Sequence, residues 1–279
     1  MLGQGLGLSA TSGGSVPTVA WSSPPQLLDT YSGAVGAYSL RLLDKDYAGN
    51  CIKVRRASND ATQDIGFVEG LVDTSALETF CAGTDGYIDT WYDQSGNNNH
   101  CVPEDDIEGN PTQQPRIVSS GTSDGAVKFT ANAHHLPLCD IDTNNTIFTV
   151  LDGTDTQGAL YQSRVDGGSY LCLIKDGDTG AANSGVGTPV FYVDGVATTI
   201  STRDEAHTAL MDGRKKLLTA SSVVVSADDN NWTPVYVGDY AGGYDLNPAS
   251  FYEIIIYPSH LSTANIDGVE GNIMTYYSL

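Results

Sequence analysis

Residues 88 to 100 of the chain read Ile88-Asp89-Thr90-Trp91-Tyr92-Asp93-Gln94-Ser95-Gly96-Asn97-Asn98-Asn99-His100. In the first half of this stretch, Ile88, Thr90 and Tyr92 alternate with Asp89 and Trp91. These mostly β-branched and aromatic types, in this alternation, predict a half-buried strand. In the second half, the side chains of Asp, Ser and Asn can hydrogen-bond to their own backbone and Gly tolerates a positive φ, which predicts a turn. The stretch therefore predicts either a plain hairpin corner or a rigid polar loop that shapes a groove.

The 279-residue chain is strongly acidic, with 34 Asp and Glu against 13 Lys and Arg and a formal net charge of -21. Such a surface repels the phosphates of nucleic acids and anionic membranes, so we expect neither as a partner. No run of about 18 apolar residues is present, and none of the chain is expected to span a bilayer.

The chain has five cysteines, which are Cys51, Cys81, Cys101, Cys139 and Cys172. An odd number without CxxC spacing fits neither a disulfide framework nor a zinc site. We expect mostly reduced core residues, since free Cys is among the most buried residue types. The first residues also lack the pattern of a signal peptide. Both features favour a protein that is made and assembled in a cytoplasm.

Residues 1–26 are rich in Gly, Ser, Thr and Pro and form a predicted N-terminal arm. Such a composition buries too little apolar surface to offset its ordering entropy, so we expect the arm to dock on a partner as an assembly anchor. Residues 27–279 read as one domain of many short strands. Tyr38 to Leu43 is one predicted strand, and Asp194-Gly195 between apolar runs predicts a hairpin turn. Two helices are predicted, one from Asp73 to Phe80 and one that begins after Ser262, because a capping residue precedes each.

Residues Trp91 to Asn97 resemble the signature of the catalytic module of the α-L-arabinofuranosidase B family. Further segments of resemblance are 37–43, 54–58, 64–67, 80–84, 150–153 and 251–253. The resemblance covers residues 30 to 279, closely in the first half and loosely in the second. It implies an all-β fold, a concanavalin A-like two-sheet jelly-roll sandwich with short helices. The same module is similar to parts of bacteriophage virion proteins.

Retaining glycosidases need two carboxyl groups, one as nucleophile and one as acid and base. The resemblance implies a nucleophilic Glu on a strand after residues 150–153, but residues 109 to 204 contain no Glu. Asp176 and Asp178 are conceivable substitutes. Asp239 matches the family's acid/base Asp, which makes it a vestigial catalytic candidate. We therefore expect an inactive module.

Several polar and aromatic residues could still contact a ligand. The ligand-binding candidates are Asp93, Asp152, Asp239, Tyr240 and Tyr244. Asp176 and Asp178 lie in an acidic turn whose oxygens suit calcium, so calcium is an alternative to the absence of any cofactor.

Together these features predict a bacteriophage virion structural protein, a head decoration, fibre or tail appendage that displays a lectin-like jelly roll. Its expected partners are other virion proteins, contacted through the arm, further copies of itself and a host-surface glycan. Its expected location is the virion. The alternative is a divergent glycoside hydrolase of the α-L-arabinofuranosidase type.

Overall fold

A computed structural model of the chain describes residues 25–103, 113–131, 134–141, 144–162, 169–225, 236–238 and 245–279. Residues 1–24 lie outside this set, so the arm and its partner stay predictions. The division at residue 26 is likewise a prediction.

Within the described residues, runs rich in β-branched and aromatic types form strands. The strands are β1 Gly36–Ser39, β2 Ile52–Arg56, β3 Thr62–Ile65, β4 Phe67–Val68, β5 Leu71–Val72, β6 Gly86–Trp91, β7 Arg116–Ser119, β8 Thr122–Phe129, β9 Leu136–Pro137, β10 Asn145–Gly153, β11 Gln157–Gln162, β12 Tyr170–Lys175, β13 Val190–Val193, β14 Val196–Thr198, β15 Lys216–Val223, β16 Tyr236–Val237 and β17 Ala249–Tyr257. The helices are α1 Leu27–Thr30, α2 Thr74–Phe80, α3 Arg203–Leu210 and α4 Thr263–Tyr277.

The larger sheet runs in the order β14-β13-β15-β10-β17-β8-β7-β6-β2-β3, with β1 also paired to β17. Strand β17 lies near its centre, because β10 pairs along one side while β8 and β1 share the other. All but one residue of β17 are buried, as expected for a strand that is covered on both faces.

A smaller sheet, in the order β12-β11-β16-β9, packs against the larger one. One apolar core joins them, since Leu160 and Ile174 of the smaller sheet belong to the same cluster as Ile147 and Ile254 of the larger. The architecture is thus mostly β-sheet with a few short helices, consistent with an all-β sandwich.

The opposite face of the larger sheet is covered by α1 and α4. Ile266, Val269 and Ile273 of α4 pack with Phe148 and Ile255 in a second apolar cluster. Ser262 caps α4, because its Oγ accepts a hydrogen bond from the backbone N of Asn265 at 3.3 Å. This helix therefore begins where its capping residue predicts.

All five cysteines are buried and have free thiols. Burial raises the pKa of Cys139 to about 12, so this thiol stays protonated at neutral pH. Within the described part of the chain, no helix has the length and apolar character needed to cross a bilayer.

Candidate functional site

Asp93, the first residue of the turn in the stretch 88–100, is 1% exposed and accepts four hydrogen bonds. Its Oδ1 lies 2.9 Å from the backbone N of Ala37 and 2.8 Å from that of Ser95. Its Oδ2 accepts from Ser95 Oγ at 2.7 Å and from the backbone N of Asn99 at 3.0 Å. Both carboxylate oxygens therefore accept hydrogen bonds from β1 and from the turn itself, and contact with a ligand stays only a prediction for Asp93.

The side-chain amide of Gln94 forms hydrogen bonds with backbone groups in and next to strand β1. Its Oε1 accepts from the backbone N of Leu43 at 2.8 Å, and its Nε2 donates to the carbonyls of Ser39 and Arg41 at 3.1 and 3.0 Å. The amide thus replaces a partner strand for residues 39–43. This explains why β1 ends at Ser39, whereas the sequence pattern predicts a strand from Tyr38 to Leu43.

The outer side of the same turn borders a groove of about 470 Å³. Tyr47, Tyr92 and His100 supply its aromatic surface, and Asp44 and Asn98 supply polar groups. The stretch therefore combines the two predicted structures, because it forms a corner held by buried hydrogen bonds and its polar loop also borders a groove.

Replacing Gln94 by Ala is expected to lower the free energy of unfolding by about 1–3 kcal/mol, because buried backbone groups at residues 39, 41 and 43 lose their partner. Urea denaturation measures the change. Gln63→Ala, on the exposed side of edge strand β3, is the control and should change stability by less than about 0.5 kcal/mol. Equal effects of the two variants would show that Gln94 does not support the fold.

The last described strand before Asp239 in the sequence belongs to the smaller sheet. Strand β16 pairs with β11 through Tyr161 and Val237, and Asp239 follows Val237 by two residues in the sequence. Asp239, Tyr240 and Tyr244 fall outside the described residues, so their roles stay predictions.

The segment in which the family nucleophile is expected forms β12. Four consecutive residues of this strand are at most 2% exposed, namely Leu171, Cys172, Leu173 and Ile174. Their apolar side chains therefore pack in the core. In the described part of this segment, β12 therefore presents no Glu side chain, in line with the sequence.

Asp176 and Asp178, the calcium candidates, have different surroundings. The Oδ2 of Asp178 lies 3.2 Å from Arg203 and 3.5 Å from Lys175. Its hydrogen bond from the backbone N of Gly180, together with these cations, lowers its pKa.

Asp176 instead lies with Asp204 and His207, and one ligand atom from each falls within 4.8 Å of the others. The three side chains of Asp176, Asp204 and His207 are close enough together to bind a cation. Asp178 does not belong to this group, because its carboxylate forms ion pairs with Lys175 and Arg203.

Sequence reasoning missed Asp204 and His207 because it did not predict α3. The signal was present, since Thr202 and Glu205 form a capping box at the start of this helix.

Asp152 lies on β10 and accepts a hydrogen bond from the hydroxyl of Tyr252 on β17. Burial and this contact raise the pKa of Tyr252. Nearby, the guanidinium of Arg41 contacts both carboxylate oxygens of Glu253, at 2.7 and 2.8 Å. No sequence pattern indicates this ion pair, which joins residues more than 200 positions apart.

Comparison with known proteins identifies relatives. The family model described as "Alpha-L-arabinofuranosidase B, catalytic" matches residues 29–168. Alpha-L-arabinofuranosidase B of Aspergillus kawachii is 42% identical over 69 residues, which are 24% of this chain and 14% of that protein. The protein of the same name from Penicillium canescens is 42% identical over 62 residues, which are 22% of this chain and 13% of that protein.

Solved structures share the fold. A GH54 α-L-arabinofuranosidase soaked with a cyclic sulfate inhibitor superposes with a TM-score of 0.54 and 20% identity, covering 86% of this chain and 62% of that one. An arabinofuranosidase complexed with arabinofuranosyl-α-1,2-xylobiose gives a TM-score of 0.53 and 21% identity, with the same coverage. The matches thus span less than two thirds of the solved chains and about one seventh of the curated relatives.

These findings correct the main functional prediction. The bacteriophage virion protein and its virion location are wrong, because the matched family, relatives and structures are arabinofuranosidases and none is a virion protein. The expectation of an inactive module is contradicted by the same findings. Its premise was too narrow, since the reaction needs a carboxylate and not specifically a Glu. Because the family model matches half of the sequence, the chain belongs to the family of the α-L-arabinofuranosidase B catalytic domain.

Proposed function

We propose that this chain is a glycoside hydrolase that removes α-L-arabinofuranosyl groups. The family match over residues 29–168 is the observation that carries the proposal. The match includes the whole stretch 88–100, whose turn is built from buried hydrogen bonds at Asp93 and Gln94.

We propose further that the sandwich is a jelly roll of the concanavalin A-like type. Its support is the packing of two antiparallel sheets around one core and the likeness of 86% of the chain to arabinofuranosidase structures.

In the proposed reaction Asp239 is the general acid and then the general base. It protonates the leaving oxygen, and it later takes a proton from the water that releases the sugar. A second carboxylate of this chain is the proposed nucleophile, and it is not a Glu of residues 109–204, because this segment contains none. Retention of configuration needs the two carboxyl groups about 5–5.5 Å apart.

The test is hydrolysis of 4-nitrophenyl α-L-arabinofuranoside, followed by the absorbance of the released 4-nitrophenolate. We expect turnover of this compound and at least about tenfold slower release from the matching arabinopyranoside, because a pocket shaped for one ring size misplaces the other. Absence of release from the furanoside at high protein concentration would contradict the proposal.

A further inference from the structure

A pocket of about 420 Å³ lies on the face of the larger sheet that carries α4, opposite to the smaller sheet. We call it the tyrosine pocket. It is lined chiefly by Arg41, Lys215, Tyr252, Tyr276 and Tyr277. Its size is within the usual range for small-molecule sites. Tyr252 and Tyr277 also pack against the second apolar cluster, which holds the pocket wall in place.

Lys215 is unusual among the basic residues. Every other arginine and lysine in the described part of the chain has an ion pair or a hydrogen bond through its side chain. Lys215 has neither among the described residues. Its Nζ instead lies 3.8 Å from the ring centroid of Tyr252 and 4.9 Å from that of Tyr277.

The aromatic rings attract the ammonium by cation–π interaction, but they supply no lone pair as a hydrogen-bond acceptor for its three N–H groups. Burial lowers the pKa of Lys215, and the charge of Asp152 partly offsets this shift. Among the described residues no carboxylate lies within ion-pair distance of Lys215, so its ammonium can contact an external anion.

Arg41 adds further donors. Three of its N–H groups donate to Glu253 and Asn272, which leaves two of the five uncommitted among the described residues. Its guanidinium lies 4.3 Å from the ring centroid of Tyr276, and Tyr276 itself is 44% exposed. The pocket thus offers uncommitted cationic donors next to an accessible aromatic ring.

We propose that the tyrosine pocket binds an acidic sugar unit, a hexuronate, whose carboxylate contacts Lys215 and whose ring lies against Tyr276. The choice of a sugar rests on the proposed function, because a hydrolase of arabinofuranosyl groups meets polysaccharides. The choice of an anion rests on Lys215 alone. A neutral sugar offers the ammonium only hydroxyl and ring oxygens as acceptors, whereas a carboxylate forms a stronger, charge-assisted hydrogen bond.

Ligand-observed NMR titration with methyl β-D-glucuronide tests the proposal, with methyl β-D-glucoside and acetate as comparison ligands. We expect the glucuronide to bind at least about tenfold more tightly than either, since the glucoside lacks the charge and acetate lacks the ring. Binding should weaken as salt is raised.

Lys215→Met should weaken glucuronide binding at least about tenfold, while Lys215→Arg keeps the charge and should retain most of it. Lys45→Met is the matched control, because it removes the same charge from an exposed ion pair outside the pocket. Circular dichroism of each variant verifies the fold.

Equal binding of glucuronide and glucoside, equal binding of glucuronide and acetate, or an unchanged affinity in Lys215→Met would each overturn the proposal. The titration does not depend on turnover. Glucuronide binding without hydrolysis of an arabinofuranoside would contradict the proposed function and leave the pocket proposal standing, and the reverse result would do the opposite.

Discussion

Replacing Arg41 by Met is expected to lower the free energy of unfolding by about 3–5 kcal/mol, because it leaves a buried carboxylate without its cation. The side chains of Arg41 and Glu253 are only 7% and 1% exposed. Burial alone would lower the pKa of Arg41, but the charge and hydrogen bonds of Glu253 outweigh this and raise it. Arg41 therefore keeps its positive charge beside the buried carboxylate of Glu253.

The ion pair also links separate parts of the fold. Glu253 lies on β17 and accepts a further hydrogen bond from Ser39 Oγ at 2.8 Å, at the end of β1. Arg41 reaches Asn272 of α4 at 3.0 Å. The loss of Arg41 thus weakens contacts among a central strand, an edge segment and the terminal helix.

Urea denaturation of three variants separates these effects. Arg41→Met combined with Glu253→Leu should be less destabilised than Arg41→Met alone, because it removes the uncompensated charge. Arg214→Met, which breaks an exposed ion pair with Asp212, should leave the midpoint unchanged. A single Arg41→Met variant as stable as the wild type would show that the pair does not support the fold.

Replacing Asp239 by Asn is expected to reduce the hydrolysis of arabinofuranosides by about 10²–10⁴-fold, the usual contribution of a general acid and base. An Asn side chain has nearly the same size but can neither donate nor take up the proton. The loss should be larger for methyl α-L-arabinofuranoside than for the 4-nitrophenyl compound, since a poor leaving group depends more on protonation.

Initial rates for both substrates measure the effect, and Asp267→Asn is the control. Asp267 is exposed on helix α4 and belongs to no proposed catalytic group, so its replacement should leave both rates unchanged. Wild-type rates in Asp239→Asn would rule out this residue as the acid and base and would require another carboxyl group for that role.

Local patterns predicted much of the fold. The Asp-Gly pair at 194–195 forms the turn between β13 and β14, with positive φ at both residues, and Ser262 starts α4. Strand β1 was predicted too long, because the competing partner of residues 39–43 is the side chain of Gln94. Helix α3 was missed although its capping box is visible in the sequence.

Tertiary contacts set the rest of the candidate site. Asp93 looks like an available carboxylate in the sequence, but contacts with Ala37 and Asn99 bury it. Lys215 has no distinguishing sequence context, and only the approach of Tyr252 and Tyr277 reveals its position over aromatic rings. The error about activity arose because the absence of Glu from residues 109–204 was given more weight than the conceivable substitutes Asp176 and Asp178.

Covalent trapping tests most directly whether the chain carries a catalytic nucleophile. The probe is an arabinofuranose-configured cyclic sulfate, the class of inhibitor with which a GH54 relative was soaked. An attacking carboxylate forms a C–O bond to the anomeric carbon, that carbon's bond to the sulfate oxygen breaks, and the opened sulfate stays on the sugar. Intact-mass spectrometry should then show one added inhibitor mass per chain, and peptide mapping should place it on a single Asp or Glu side chain. An unchanged mass after prolonged incubation, together with no release of 4-nitrophenolate from the furanoside, would contradict the proposed hydrolase.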